Sequence, residues 1–225
     1  MPSSGLLEWD ERHRGAAEHD DATPLPLVIK TAREMKPGRA LDLACGAGRN
    51  ALWLAERGWS VTAVDGSPAA IELVRRRASA RGVNVNAQVA DLEKGEYVIE
   101  PSQWDLVLMC YYLQRDLFEP AKRGVVPGGV LVAIVLLGEG RFSVAPGELR
   151  GYFLGWEILH DREGNPGDSL EHWAVAEIVA RRPQAAKSPS CLDAGGTVAN
   201  DAAKECPHDE AIISFSGSIR DPAHL

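Results

Sequence analysis

The sequence predicts an open α/β sheet, mostly parallel, with helices on both faces and one reversed strand at its end. Three observations carry this. Short apolar stretches alternate with amphipathic helical ones between residues 24 and 137. The first apolar stretch, 40–44, runs through Gly46 and Gly48 straight into a helix. The last two strand-like stretches, 156–161 and 172–180, are joined by a loop holding Gly164-Asn-Pro-Gly167. That loop is too short for a crossover helix, so the pair is antiparallel.

Taken in order, residues 6–20 are polar with one large aromatic, Trp9. They read either as a flap with Trp9 and His13 turned toward a site, or as a surface helix pinned by Trp9. A helix is expected from Pro24–Leu25, with Leu25, Val28, Ala32 and Met35 on its inner face, ending at Lys36-Pro37-Gly38. The first strand is apolar except for Asp42, and the helix after it stops near Gly58. Residues 59–64 form the second strand, closed by Asp65.

Ser67 then caps a helix with Pro68 at its first position, an inner stripe of Ile71, Val74 and Ala78, and an end at Gly82. Arg75, Arg76 and Arg77 read as its solvated face. Residues 83–90 alternate strictly between apolar and polar, as an edge strand does, and end at Asp91-Leu92. Residues 104–110 are almost continuously apolar and predict a central strand. A short helix follows, breaking at Val126-Pro127-Gly128-Gly129. Residues 130–137 predict the fifth strand, 138–146 a loop and 148–154 a short helix.

From Arg182 the composition shifts, and 184–203 is rich in Ala, Ser, Gly, Pro and Asp without a period. The organisation read from this is a cap segment (1–23), one domain (24–183) and a poorly ordered extension (184–225). A formal net charge of −8 argues against a general binder of nucleic acid or anionic membranes. No apolar run approaches the roughly 20 residues of a membrane span, and the start lacks a secretory layout. The four cysteines are scattered without metal-type spacing, so a cytoplasmic protein with reduced thiols and no metal is expected.

The chemistry is carried by three carboxylates, Asp42, Asp65 and Asp91, in or at the ends of successive strands. In such sheets ligands bind over the carboxyl edge. An acid buried in an apolar strand requires a partner. One closing the second strand suits a pair of ribose hydroxyls, and one closing the third suits an exocyclic amine, with the Leu92 amide beside it. The turn amides at Gly46–Gly48 face the middle of a nucleotide-like ligand. Each acid also has a plainer reading as a turn or cap residue.

The stretch Leu41-Asp-Leu-Ala-Cys-Gly-Ala-Gly-Arg-Asn50 resembles the first motif of class I S-adenosylmethionine-dependent methyltransferases. It is most similar to the tellurite-resistance type and related small-molecule enzymes. The resemblance spans about residues 9–182 and includes Trp9-Asp-Glu-Arg12 and the ending Ala174-Val-Ala-Glu-Ile-Val-Ala-Arg-Arg-Pro183. It implies a Rossmann-like sheet of seven strands in the order 3-2-1-4-5-7-6, the seventh antiparallel, and S-adenosyl-L-methionine as cofactor. It places Asp42 near the methionine amino group, with Cys45, Gly46 and Gly48 as the turn beneath it. Asp65 and Gly66 fall to the ribose and Asp91 with Leu92 to the adenine, while Cys110 and Tyr111 line the path to the methyl.

The acceptor it implies is a small molecule: a thiol, a chalcogen oxyanion or another small nucleophile. Trp9, Arg12, His13, Tyr111, Tyr112, Arg115 and Arg141 are the candidates to contact it, the arginines as oxyanion binders and His13 as a base. The expected partner is that acceptor, with neither nucleic acid nor membrane, and the protein a monomer or homodimer. The segment 137–146 is shorter than in many members, and the extension has no counterpart. A nicotinamide-dependent oxidoreductase is the first rival, because Gly46-Ala-Gly-Arg-Asn-Ala51 fits G-x-G-x-x-A. A non-catalytic cofactor-binding relative is the second.

Overall fold

The computed structural model describes residues 10–11, 23–165 and 173–184. Trp9, Arg12, His13, His172 and the extension from residue 185 lie outside the described residues, so the readings placed on them stay as expectations. The strands are β1 (Arg39–Leu43), β2 (Ser60–Asp65), β3 (Val85–Val89), β4 (Trp104–Cys110), β5 (Val125–Leu137), β6 (Ser143–Val144), β7 (Glu157–Gly164) and β8 (Val175–Arg181). They form one sheet in the order β3-β2-β1-β4-β5-β8-β7, with β6 paired to the end of β5. Strands β1 to β5 pair in parallel, and β8 is antiparallel to both β5 and β7. Set the two-residue β6 aside and this is the expected order, with the reversed strand where it was expected.

The helices are α1 (Pro26–Arg33), α2 (Arg49–Ala55), α3 (Pro68–Ala80), α4 (Phe118–Gly124) and α5 (Glu148–Gly151). Alternate side chains along each strand face opposite sides, which builds two cores. On one face Val28, Leu54, Ile71 and Val74 of α1–α3 pack with Ala40, Leu106, Leu108 and Val132. On the other, Leu41, Leu43, Val107 and Met109 meet Phe118 of α4 and Leu149 of α5. Phe118 stacks on Tyr152 at 4.3 Å between ring centres, and Phe153 meets Phe118 edge-on at 6.1 Å. Asp42 lies between Leu41 and Leu43, so its carboxyl faces the α1–α3 side, at the carboxyl end of β1.

Several elements differ from expectation for local reasons. β5 starts at Val125, ahead of the expected break. Pairing then jumps from Trp104↔Val125 to Leu106↔Val130, so Val126–Gly129 is an irregularity within the strand. Gly129 fits there because a Cβ would lie 2.9 Å from the Asp105 carbonyl oxygen. The expected loop after β5 contains β6, whose pairing to Leu136–Leu137 comes from its neighbour rather than from its own two residues. The arginine face of α3 is also not simply solvated. Arg75 donates to the Ala87 carbonyl at 2.9 Å and Arg77 to the Ala47 carbonyl at 3.1 Å, tying α3 to β3 and to the glycine turn.

Candidate functional site

The carboxyl ends of β1, β2, β3 and β4 bring Asp42, Cys45, Gly46, Gly48, Asp65, Gly66, Asp91, Leu92 and Cys110 to one edge of the sheet. The turn leaving β1 is tight. Ala44 sits at φ 54, Gly46 at 53 and Gly48 at 82, and Gly48 N–H closes on the Cys45 carbonyl at 3.0 Å. A Cβ on Gly48 would come within 2.8 Å of a Val74 methyl. That glycine therefore lets α3 approach the turn, in addition to supplying the left-handed conformation. Tyr111, leaving β4, is likewise left-handed at φ 58, with its N–H on the Ile134 carbonyl at 2.6 Å. A non-glycine residue in this region carries strain, and both Ala44 and Tyr111 lie at the carboxyl ends of the adjacent strands β1 and β4.

Asp42 is 2% exposed, and its Oδ2 has no hydrogen-bond partner among the described residues. Burial raises its pKa to about 7, opposed by nearby Arg49 and by a hydrogen bond from the Ala51 N–H, and reinforced by Asp65. An orphaned carboxylate oxygen in a buried setting fits a cationic ligand group such as an ammonium. Asp65 accepts from Gly46 N–H and from Ser67 N–H, each at 2.8 Å. Both donors are backbone amides of the turns that flank the carboxyl ends of β1 and β2.

Asp91 has a structural job of its own. Its Oδ1 accepts from Glu93 N–H at 3.1 Å and its Oδ2 meets Lys94 Nζ at 2.8 Å, capping the turn Leu92–Lys94. Leu92 is buried, and its carbonyl accepts from Gln114, which in turn accepts from the Tyr112 hydroxyl at 2.7 Å. Gln114, not anticipated from sequence, thus joins the exits of β3 and β4. Burial pushes the Cys45 and Cys110 thiols upward, with Asp42 adding to both, so each stays protonated near neutral pH. Burial also pushes the Tyr112 phenol up.

The two oxyanion candidates among the described residues, Arg115 and Arg141, are paired within the chain. Arg115 is forked onto Glu148 at 2.7 and 3.2 Å and donates to the Ser143 carbonyl, while Arg141 pairs with Glu93 at 3.2 Å. Both line a cleft of about 320 Å³ with Glu93, Leu113, Gln114 and Asp116. Tyr111 instead lies beneath the Arg49 guanidinium, 5.4 Å from the ring centre.

Arg49 escaped the sequence reading, although it carried a signal. A cation in the first turn of a helix opposes the helix dipole, and here its field falls on Asp42. Glu177 was missed too. It is buried beside Ile134, which pairs with Cys110, and it holds Arg162 in a fork at 3.0 Å and His160 at 3.0 Å.

A family model described as a methyltransferase domain matches residues 40–129. The ubiquinone biosynthesis O-methyltransferase of Methylocella silvestris is 32% identical over 176 residues, 73% of this chain and 67% of that protein. The chain belongs to the class I S-adenosylmethionine-dependent methyltransferases. A probable methyltransferase, TehB of Haemophilus influenzae, is 22% identical over 69% of this chain and 56% of its own length. Its crystal structure superposes with a TM-score of 0.60, covering 79% of this chain and 66% of that one, which shows the shared fold.

S-adenosylmethionine is the cofactor of this methyltransferase, and the nicotinamide reading falls with the family. The antiparallel β8 and the orphaned Asp42 oxygen agree with that outcome. The chain spans about half or less of the length of several curated relatives it matches. Among the described residues no helix is long and apolar enough to cross a membrane.

Proposed function

We propose that this methyltransferase transfers a methyl group to a small-molecule nucleophile held against the ends of β4 and β5. The observation that carries the reading is the buried, unpartnered Asp42 Oδ2 beneath the glycine turn. In this reading Asp42 takes the cofactor's ammonium, Asp65 its ribose hydroxyls, and Asp91 with the Leu92 amide its adenine. Cys110 and Tyr111 line the route to the methyl. When bound, S-adenosylmethionine supplies a methyl already activated by the sulfonium. The chain's task is then to align the acceptor and exclude water, and positioning of this kind contributes ~7–11 kcal/mol.

No thiol nearby serves as a base, since burial keeps Cys45 and Cys110 protonated. The small-molecule part rests on the net charge of −8 and on the pairing of Arg115 and Arg141 with Glu148 and Glu93. A surface meant for phosphate backbones keeps such cations available. Among relatives, one is named a ubiquinone biosynthesis O-methyltransferase. Another, 41% identical over 71 residues, is named a 2-heptyl-1-hydroxyquinolin-4(1H)-one methyltransferase. Both names favour a small hydroxylated acceptor, and thiols and chalcogen oxyanions belong in the same panel.

The test is S-adenosylhomocysteine release across thiols, oxyanions of selenium and tellurium, phenolic and quinoline hydroxyls, amines and RNA. Turnover with one small-molecule class is expected. Turnover with RNA alone would overturn the acceptor assignment, and tight cofactor binding without turnover of anything would favour the non-catalytic relative.

A further inference from the structure

Asp10 is 6% exposed, and its carboxylate is engaged 57 residues along the chain. Its Oδ1 accepts from the Ser67 hydroxyl at 2.7 Å and from Ala69 N–H at 3.1 Å, at the N-terminus of the 13-residue α3. Ser67 is fully buried and its hydroxyl oxygen also accepts from Ala70 N–H at 3.1 Å, so the hydroxyl is held from both sides. The same residue's N–H donates to Asp65 Oδ1, and Gly46 N–H donates to Asp65 Oδ2. An unbroken chain of hydrogen bonds therefore runs from Asp10 through Ser67 and Asp65 to the glycine turn.

We propose that Asp10 is a positioning residue for cofactor binding, acting through Ser67 on the Asp65 carboxylate. The proposal rests on the reading that Asp65 takes the ribose. A carboxylate this buried is stabilised by the two donors and by the helix N-terminus. In return it fixes the first turn of α3. With Asp10 in place Ser67 has a single hydroxyl orientation, and its N–H is aimed at Asp65. Without it, Ala69 N–H and the Ser67 hydroxyl proton lose their acceptor, and the first turn of α3, which carries the Ser67 N–H bonded to Asp65, is held less firmly. Engagement of the Asp10 carboxylate with the N-terminus of α3 and binding of the cofactor are then coupled, each strengthening the other by the same factor.

The experiment is calorimetric titration of S-adenosylhomocysteine into the full chain and its Asp10→Ala, Asp10→Asn, Ser67→Ala, Asp65→Ala and Asp10→Ala/Asp65→Ala variants. Thermal unfolding with and without ligand establishes which variants fold. Asp10→Ala is expected to weaken affinity about tenfold, which is about 1.4 kcal/mol. Asp10→Asn, whose amide oxygen can accept both hydrogen bonds, should stay within about threefold of wild type. Ser67→Ala tests the same route should Asp10→Ala fail to fold, and it should weaken binding as Asp10→Ala does.

The double variant should bind no more weakly than Asp65→Ala alone. Full additivity, an equal loss for Asn and Ala, or unchanged affinity in folded Asp10→Ala and Ser67→Ala would overturn the proposal. If Asp65→Ala itself leaves affinity unchanged, the ribose reading fails with it. If Asp65→Ala weakens binding and Asp10→Ala does not, only the positioning role fails.

Discussion

The two halves of the carboxyl edge handle charge in opposite ways. At the ends of β1 and β2, buried Asp42 keeps an oxygen without a hydrogen-bond partner among the described residues, and Asp65 beside it takes backbone donors from the tight turns. Around the ends of β4, β5 and β7 the basic side chains named above are already paired: Arg115 with Glu148, Arg141 with Glu93, Arg162 and His160 with Glu177. The first half offers a buried carboxylate oxygen suited to a cationic group, which is the role proposed for it toward the cofactor's ammonium. The second half has its named arginines paired within the chain and points to no particular acceptor. A partly satisfied buried site is costly and therefore informative, whereas a satisfied one is compatible with many partners.

The sharpest way to break this contrast is through Asp42, where the largest effect is expected. Its folded pKa lies at about 7, above the unfolded value. The folded state thus holds its proton more tightly. The group's contribution to stability is full below about pH 4, falls as pH rises, and is lost above about pH 7. The slope is about 1.4 kcal/mol per pH unit within that window. Urea unfolding of the cofactor-free protein from pH 5 to 8 should show this decline relative to Asp42→Asn, which lacks the titrating group. At pH 8 the variant should be the more stable protein and yet bind S-adenosylhomocysteine about 30–100-fold more weakly, the loss expected for a charge-assisted bond. Parallel pH curves for the two proteins would remove the buried acid from the account.

A second test concerns the turn itself. Gly48→Ala places a methyl 2.8 Å from Val74 at φ +82, and should cost about 2–4 kcal/mol from crowding and left-handed backbone together. In a Val74→Ala background, which removes the crowding methyls and carries its own cavity cost, Gly48→Ala should cost only about 1–2 kcal/mol, the backbone strain. No cost of Gly48→Ala in that background would mean that the conformation is unimportant there.

The smallest effect belongs to the other half and has the opposite sign. Burial pushes Glu177 up, but the hydrogen bonds from Arg162 and His160 outweigh it and hold its pKa below the ordinary carboxylate value. Its contribution is therefore present above the unfolded pKa and lost as pH falls through the folded one. Glu177→Gln should destabilise the protein modestly at pH 7 and less at acid pH, without changing cofactor affinity. An affinity change would join the two halves into one site.

Much of this was legible in the chain. Residues 104–110 are a strand from end to end because a central parallel strand must be apolar on both faces. The reversed β8 followed from the length of one loop. What escaped depended on partners far away in sequence. Arg115 and Arg141 read as oxyanion binders because nothing local reveals Glu148, 33 residues on, or Glu93, 48 residues back. Gln114 acquires its role only when the exits of β3 and β4 meet, 22 residues apart. β6 has too few residues to carry a period. Asp91 was both things at once, a turn cap and a candidate ligand, and local pattern cannot separate roles that share one side chain.

The most direct test of the central claim is a crystal structure of the chain with S-adenosylhomocysteine. The amino group should lie within hydrogen-bonding distance of Asp42 Oδ2, with the ribose hydroxyls on Asp65. A ligand seated elsewhere, or one whose amino group points away from Asp42, would contradict it.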